Sequence, residues 1–397
     1  MNLIVQKFGG SSVANVERVR HVAQIITDTY AKGNSVIAVV SAQGDTTDDL
    51  IAKAKEITDK PSSREMDVLL STGEQISMSL LAMAIEQMGY PVISLTGWQA
   101  GFLTESTHRN ARIKKINTER LQNELDKKNI VIVAGFQGLN RYDDITTLGR
   151  GGSDYSAALI GAALGAGEVQ IWTDIDGMHN NDPRYVEGTF PIRRMNFDEA
   201  AELAYFGAKI LHPSTIQPCK DRGIPVLLKN SMAPDAPGTV ISDAEVGGHV
   251  YRAVAAKDGI TAVRIYSARM LMAYGFLRRV FEVFEKYRTP IDMITTSEVA
   301  VSLTVDSDCR LPEIIAELSE LGTVEVDTGN SIVCIVGRLD HAEHGRAREI
   351  MEAAGDVPLK MISYGASHRS IALLTDTRNR TRLLRNLNDK LFGKDAE

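Results

Sequence analysis

From its first residues to about position 240, the chain alternates short apolar runs with longer stretches in which apolar residues recur every three or four positions. Strands buried on both faces read as continuous apolar runs and their covering helices as amphipathic ones, so this alternation predicts an α/β domain on a mainly parallel sheet. Residues 3–6 are the first predicted strand. After them Val16, Val19, Val22, Ala23, Ile25, Ile26 and Tyr30 mark a helix that Gly33 ends. Further strands are predicted at 36–41, 92–95, 130–134, 169–173 and 225–229, with helices near 65–88, 153–164 and 196–211. Open parallel sheets bind ligands beyond the carboxyl ends of their strands, so the loops after these runs are where a site is expected.

A change of rhythm follows the segment 232–238 (MAPDAPG), whose two prolines and glycine place a domain boundary at about 232–250. Beyond it the pattern repeats. A helix in 275–304 leads to Pro290-Ile-Asp-Met-Ile-Thr and an alternating strand at 300–305. A helix at 343–354 leads to Pro358-Leu-Lys-Met-Ile-Ser and a strand at 370–375. The two hexapeptides superpose in register, which indicates an internal duplication of a small βαββαβ sandwich. The expected domains are therefore 1–240, 250–330 and 331–397, and the two small copies could exchange or pair edge strands with each other or with a second subunit.

Composition narrows the function. A net charge of -7 argues against a nucleic-acid partner, and an anionic ligand would need a locally positive pocket. Apolar runs such as 130–136 are shorter than a membrane helix, and no signal peptide opens the chain, so a cytoplasmic protein without a membrane partner is expected. The three cysteines, Cys219, Cys309 and Cys334, have no CxxC spacing, which argues against a disulfide framework or a zinc site.

Three loops carry chemistry. In Lys7-Phe-Gly-Gly-Ser-Ser, Gly9 and Gly10 let backbone N–H groups approach a phosphate, the next helix start adds partial positive charge, and Lys7 adds a full one. The bland reading is a strand-to-helix turn beside a solvated lysine; neither GxxxxGK[ST] nor GxGxxG is present here. In Thr147-Leu-Gly-Arg-Gly-Gly-Ser-Asp, Arg150 can grip a carboxylate or phosphate with two N–H groups. Ser153 and Asp154 could cap the following helix, and a second role open to Asp154 is to orient the lysine or a bound magnesium ion. In Trp172-Thr-Asp-Ile-Asp-Gly, Asp174 and Asp176 resemble a metal pair, but for Asp176 a turn role is favoured. Lys209 reaches a phosphate or is solvated, and His212 before Pro213 reads as structural. Ser41, Thr47, Glu74 and Arg150 together offer hydroxyls, one anion and one cation, a set that suits an amino acid zwitterion.

Lys7-Phe-Gly-Gly-Ser-Ser-Val, residues 41–48, Gly73-Glu74, Gly149-Arg-Gly-Gly-Ser-Asp and Trp172-Thr-Asp-x-Asp-Gly occur in the order and spacing of one family. Over essentially its whole length the chain resembles monofunctional aspartate kinases of the amino acid kinase fold, whose C-terminal pair are ACT domains. The resemblance implies a three-layer kinase domain and transfer of the ATP γ-phosphoryl group to the side-chain carboxylate of L-aspartate, toward lysine, threonine and methionine. It implies that Lys7 and Asp154 are catalytic, and that Lys7, Gly9, Gly10, Ser11, Thr173, Asp174, His179, Arg184 and Lys209 hold ATP. Ser41, Thr47, Glu74, Arg150 and Ser153 would hold aspartate. Mg2+ is expected on the phosphates with no assigned protein ligand. Met270, Gly275, Phe276, Leu277, Asp292, Thr296 and Ser297 resemble a regulatory amino acid site, for lysine or threonine. A homodimer or homotetramer through the ACT domains is expected.

Two departures stand out: His179 replaces a common tyrosine, and Met272-Ala273-Tyr274 replaces a more polar triplet. Two alternatives stay open at this point, another small-carboxylate kinase of the same fold and an inactive amino acid sensor.

Overall fold

The computed structural model describes residues 2–207, 211, 213–244, 247, 250–267, 274–306, 310–339 and 345–393. It divides into two compact units. The first comprises Met1–Met178, Pro191–Ala204 and Lys209–Val246; the second comprises His179–Phe190, Tyr205–Ala208 and Gly247–Glu397. The first unit is thus not the continuous 1–240 stretch expected from the sequence, because two short excursions belong to the second.

In the first unit, chain order runs β1 (Leu3–Phe8), α1 (Val16–Ala31), β2 (Ser35–Val40), α2 (Thr46–Ile57), α3 (Ser63–Gln87), β3 (Val92–Leu95), β4 (Phe102–Thr104), β5 (Ile113–Ile116), α4 (Glu119–Asp126) and β6 (Ile130–Ala134). It continues with β7 (Gln137–Leu139), β8 (Ile145–Thr147), α5 (Gly152–Leu164), β9 (Glu168–Thr173), β10 (Arg194–Asn196), α6 (Phe197–Tyr205), α7 (Pro213–Lys220), β11 (Val226–Asn230) and β12 (Thr239–Ser242). The main sheet has the order β10-β12-β11-β9-β1-β2-β6-β3. Six consecutive strands, β11, β9, β1, β2, β6 and the edge strand β3, are all parallel, so their carboxyl ends share one rim.

Pleating then sorts the side chains of β1. Phe8 points with Val36, Ala38, Val40, Ile130 and Ile132 into the core formed with Val22 and Ile26 of α1 and Leu81 and Ile85 of α3. Val5 and Lys7 alternate to the opposite face. There α5 lies so close that a Cβ on Gly161 would sit 2.5 Å from Val169 and 3.9 Å from Val5. Lys7 is thereby delivered to the layer that α5 occupies.

α3 is long and apolar enough, by length and composition, to cross a membrane. It is a core helix instead, packed on α1, α2, β3 and β6 and burying Asp67, Ser71, Glu74 and Ser77. A search for unbroken apolar runs passes over it because those polar residues interrupt it. A second sheet, of order β5-β4-β7-β8, consists of strands of three or four residues, too short to leave a periodic signal in the sequence.

The second unit contains β13 (Tyr251–Tyr266), α8 (Phe276–Lys286), β14 (Ile294–Thr296), β15 (Ala300–Val305), α9 (Leu311–Leu318), β16 (Thr323–Gly337), α10 (Arg346–Ala354), β17 (Met361–Ser363), β18 (Ser370–Asp376) and α11 (Arg380–Leu391). Its sheet order is β14-β15-β13-β16-β18-β17. Both long strands serve two repeats. Residues 261–266 of β13 pair with β15 and with 323–327 of β16, over a core of Val263, Phe276, Val280, Leu303 and Ile314. Residues 251–258 pair with 331–337, which also pair with β18, over a core of Val254, Val333, Ile350, Leu373 and Leu384.

Register breaks at Asp258/Ile260 and Ile260/Ala262 separate the halves. Each repeat is therefore a four-stranded ferredoxin-like sandwich, and the second borrows its fourth strand from before the first. That is the strand exchange the duplication allowed, and it shifts the expected limits of 250–330 and 331–397.

The borrowed strand yields a testable consequence. Val254→Ala opens a cavity in the second core and should cost about 2 kcal/mol. Hydrogen exchange should then accelerate in α10 and α11 but not in α8 and α9, although Val254 is closer in sequence to α8.

Candidate active site

The loops after β1, β2 and β6 on the shared rim of the main sheet, and the loop from β8 to α5, converge on a cleft of about 1470 Å³ contained within the first unit. Its lining includes Lys7, Gly10, Ser41, Thr47, Glu74, Arg150, Ser153 and Asp154, eight of the residues singled out in the sequence. Lys7 Nζ lies 2.6 Å from Asp154 Oδ1, and only 12% and 13% of the two side chains remain exposed. The pair joins the end of β1 to the first turn of α5. Neither Ser153 nor Asp154 caps that helix: the N-cap is Gly151, in the left-handed region at φ 70°, with no side-chain cap hydrogen bond. Asp154 is thus free to orient the lysine, and the first turn of α5 adds the partial positive charge of a helix start.

The glycine loop after β1 is held tightly. Gly9 N–H donates to the Trp172 carbonyl at 3.2 Å, and Gly44 N–H donates to the Gly10 carbonyl at 3.0 Å. A Cβ on Gly10 would lie 2.6 Å from the Ala42 carbonyl oxygen, so only glycine fits where this loop meets the loop after β2. The Ser11 carbonyl accepts from the Arg18 guanidinium.

Glu74 occupies the middle of α3, where Gly73 lets the helix approach; a Cβ there would be 2.8 Å from that of Ala42. One carboxyl oxygen of Glu74 accepts from Ala42 N–H at 3.1 Å. The other is buried without a hydrogen-bond partner. Burial, opposed only by backbone N–H groups, pushes this carboxyl up to about 8. An orphaned acidic oxygen facing a cleft is the natural counterpart of a ligand ammonium.

Several cleft residues went unnoticed in the sequence. Arg109, Asn110 and Arg112 come from the β4–β5 connection, and Phe136 follows β6. Their setting is the small second sheet, which the sequence pattern did not reveal.

Other expected residues lie elsewhere. Thr173 and Asp174 sit at the end of β9 outside the cleft lining; Thr173 Oγ1 donates to Asp174 at 3.0 Å, and its carbonyl accepts from Ser231 N–H at 2.7 Å. His179 and Arg184 belong to the second unit, where His179 meets Thr189 at 3.3 Å and Arg184 forms a forked pair with Asp182, with 2.6 Å at its shortest. Lys209 and His212 lie outside the described residues. Among the described residues, no group of three or more His, Cys, Asp or Glu side chains is arranged to hold a metal.

In the second unit the expected regulatory residues fall into distinct settings. Met270 lies outside the described residues. Gly275, at φ 80°, precedes α8; Phe276 is buried in the first repeat's core, so its side chain is not available to a ligand, while Leu277 is exposed. Asp292 is buried against Lys257 Nζ at 2.9 Å and accepts from Tyr205 Oη at 3.0 Å. Thr296 ends edge strand β14, and Ser297 N–H donates to the Ala300 carbonyl at 2.8 Å.

Comparison with known proteins fits this arrangement. The model of the amino acid kinase family matches residues 2–230. The chain is 41% identical over 373 residues to an aspartokinase of Geobacillus stearothermophilus, which covers 91% of each protein. It is similar to the crystal structure of E. coli aspartokinase III in complex with aspartate and ADP (R-state), with a TM-score of 0.90, 29% identity, and coverage of 98% of this chain and 100% of that one. For the same enzyme with lysine and aspartate (T-state) the TM-score is 0.79 at 30% identity, covering 98% and 99%. The chain therefore belongs to the amino acid kinase family and, within it, to the aspartokinases.

Proposed function

We propose that the cleft of the first unit is where aspartate and ATP react, with Lys7, Asp154, Glu74 and Arg150 as its working side chains. As an aspartokinase, the enzyme transfers the γ-phosphoryl group of ATP to the side-chain carboxylate of L-aspartate, giving 4-phospho-L-aspartate. The observation that carries the site assignment is the pairing, on one cleft, of an enclosed Lys7–Asp154 ion pair with the orphaned oxygen of Glu74.

A free aspartate side chain has a pKa near 3.9 and is ionised at neutral pH, so the nucleophile needs no protein base. What remains is positioning and charge neutralisation. Lys7, oriented by Asp154, donates to the transferring phosphoryl oxygens, supported by the backbone of Gly9 and Gly10 and the start of α5. Glu74 takes the substrate ammonium and Arg150 its α-carboxylate, with Ser41, Thr47 and Ser153 completing the pocket. Ser11, Thr173 and Asp174, with Lys209, are assigned to the nucleotide; His179 and Arg184 belong to the second unit and are not assigned to this cleft. Mg2+ on the phosphates would supply further charge neutralisation.

The second unit is proposed to bind an amino acid effector, lysine or threonine, at its first repeat. The E. coli structure with lysine supports that reading. Edge strands β14 and β17 suit assembly of a homodimer, or of a homotetramer, through these repeats. A biosynthetic ATP-dependent enzyme of this kind is assigned to the cytoplasm.

Three outcomes test this account. Lys7→Met should lower kcat by about a thousandfold while aspartate and nucleotide affinities change far less; near-normal turnover would remove the role assigned to Lys7. Glu74 has a folded pKa raised to about 8, so the ligand-free protein is destabilised progressively as pH rises from about 4.5 to 8 and the buried group is asked to ionise. Glu74→Gln should therefore raise the melting temperature more at pH 8 than at pH 5, measured without ligand, while raising KM for aspartate. Millimolar lysine, alone or with threonine, should reduce turnover of the wild-type enzyme, and undiminished activity would exclude these effectors.

A further inference from the structure

Asp67 lies on α3 seven residues before Glu74, so two helical turns place both carboxyl groups on one stripe of that helix. Glu74 keeps an oxygen unpartnered, whereas Asp67 is completely buried and saturated. Its Oδ1 accepts from Thr147 Oγ1 at 2.6 Å, its Oδ2 from His108 Nδ1 at 2.8 Å, and both oxygens accept from Arg109 N–H, at 3.1 and 3.0 Å.

These donors come from two separate chain segments that both line the cleft. Arg109 is held at φ 67°, in the left-handed region that a side chain other than glycine seldom occupies. The Asp67 bond to its N–H offsets the cost of that conformation. Thr147 ends β8, three residues before Arg150, and its carbonyl also accepts from Ala111 N–H at 2.9 Å. Gly149, at φ 78°, packs where a Cβ would meet Asn110 Oδ1 at 2.7 Å. Asp67 is thus the point at which the loop carrying Arg109 and the loop carrying Arg150 are tied to the helix that carries Glu74.

We propose that Asp67 is a positioning residue for aspartate recognition: through Thr147, His108 and Arg109 it fixes the distance between Glu74, assigned to the substrate ammonium, and the Arg150 guanidinium, assigned to the substrate α-carboxylate. This rests on the substrate assignments made above. The clamp does not touch the Lys7–Asp154 pair, so its loss should act on aspartate binding rather than on phosphoryl transfer.

The test is steady-state kinetics on the full-length enzyme with Asp67→Asn, Thr147→Val and Thr147→Ser. Asp67→Asn turns an acceptor toward one of three donors into a donor, and Thr147→Val removes one bond without altering the carboxyl group. Both should raise KM for aspartate about tenfold or more, with KM for ATP and kcat within about threefold of wild type. Thr147→Ser keeps the hydroxyl and should restore near-wild-type KM. Should Asp67→Asn fail to fold, the two Thr147 variants decide the matter alone. Unchanged KM for aspartate in Thr147→Val, or KM values for both substrates rising together, would overturn the proposal. A wild-type enzyme that did not phosphorylate aspartate would instead refute the assignment on which it rests.

Discussion

Lys7 Nζ and Asp154 Oδ1 stand 2.6 Å apart in a setting that leaves little of either side chain in water. A lysine with four rotatable bonds disperses its charge over a wide volume when solvated, and partial enclosure beside a carboxyl group confines it to one direction. The confinement comes from two layers of the fold. The pleat of β1 sends Lys7 to the face opposite Phe8, and the close packing of α5 on Val5 and Val169 brings Asp154 to meet it. The glycine-loop backbone, the helix start and the lysine converge because one parallel rim and one tightly packed helix share a corner.

The rest of the cleft follows from how α3 crosses that corner. This helix spends its apolar face on the sheet and on α1, and it spends a second stripe on carboxyl groups in opposite conditions. Glu74 keeps one oxygen without a hydrogen-bond partner in the protein, which costs stability and suits the arrival of an ammonium. Asp67 satisfies everything around it and holds loops still. A site that carries strain at one carboxyl group and rigidity at another is consistent with binding energy directed toward substrate orientation.

The main sheet was legible because its strands are buried on both faces; the predicted runs at 92–95, 130–134 and 169–173 fall on β3, β6 and β9. The duplication was equally plain, since two hexapeptides in register require no knowledge of contacts. The sandwich borders were not, because β13 and β16 each run on through two repeats, and the stretches Asp258-Gly259 and Asp327-Thr-Gly-Asn330, which read as turns, sit inside unbroken strands at the register shifts. The second sheet escaped notice for a related reason, and with it Arg109, Arg112 and the function of Asp67. A buried carboxyl group whose partners lie 41, 42 and 80 residues away leaves no local signature. The glycines mark the tight meeting of the loops after β1 and β2, whereas the capping reading of Ser153 and Asp154 failed because Gly151 fills the N-cap position.

The central claim is that one cleft of the first unit aligns a triphosphate with an amino acid whose ammonium meets Glu74. A crystal structure of the enzyme with aspartate and a nonhydrolysable ATP analogue tests it most directly. The account predicts the γ-phosphoryl oxygens within hydrogen-bond distance of Lys7 Nζ, and the aspartate ammonium on the oxygen of Glu74 that has no hydrogen-bond partner within the protein. Aspartate bound with its ammonium away from Glu74, or phosphates seated away from Lys7, would contradict it.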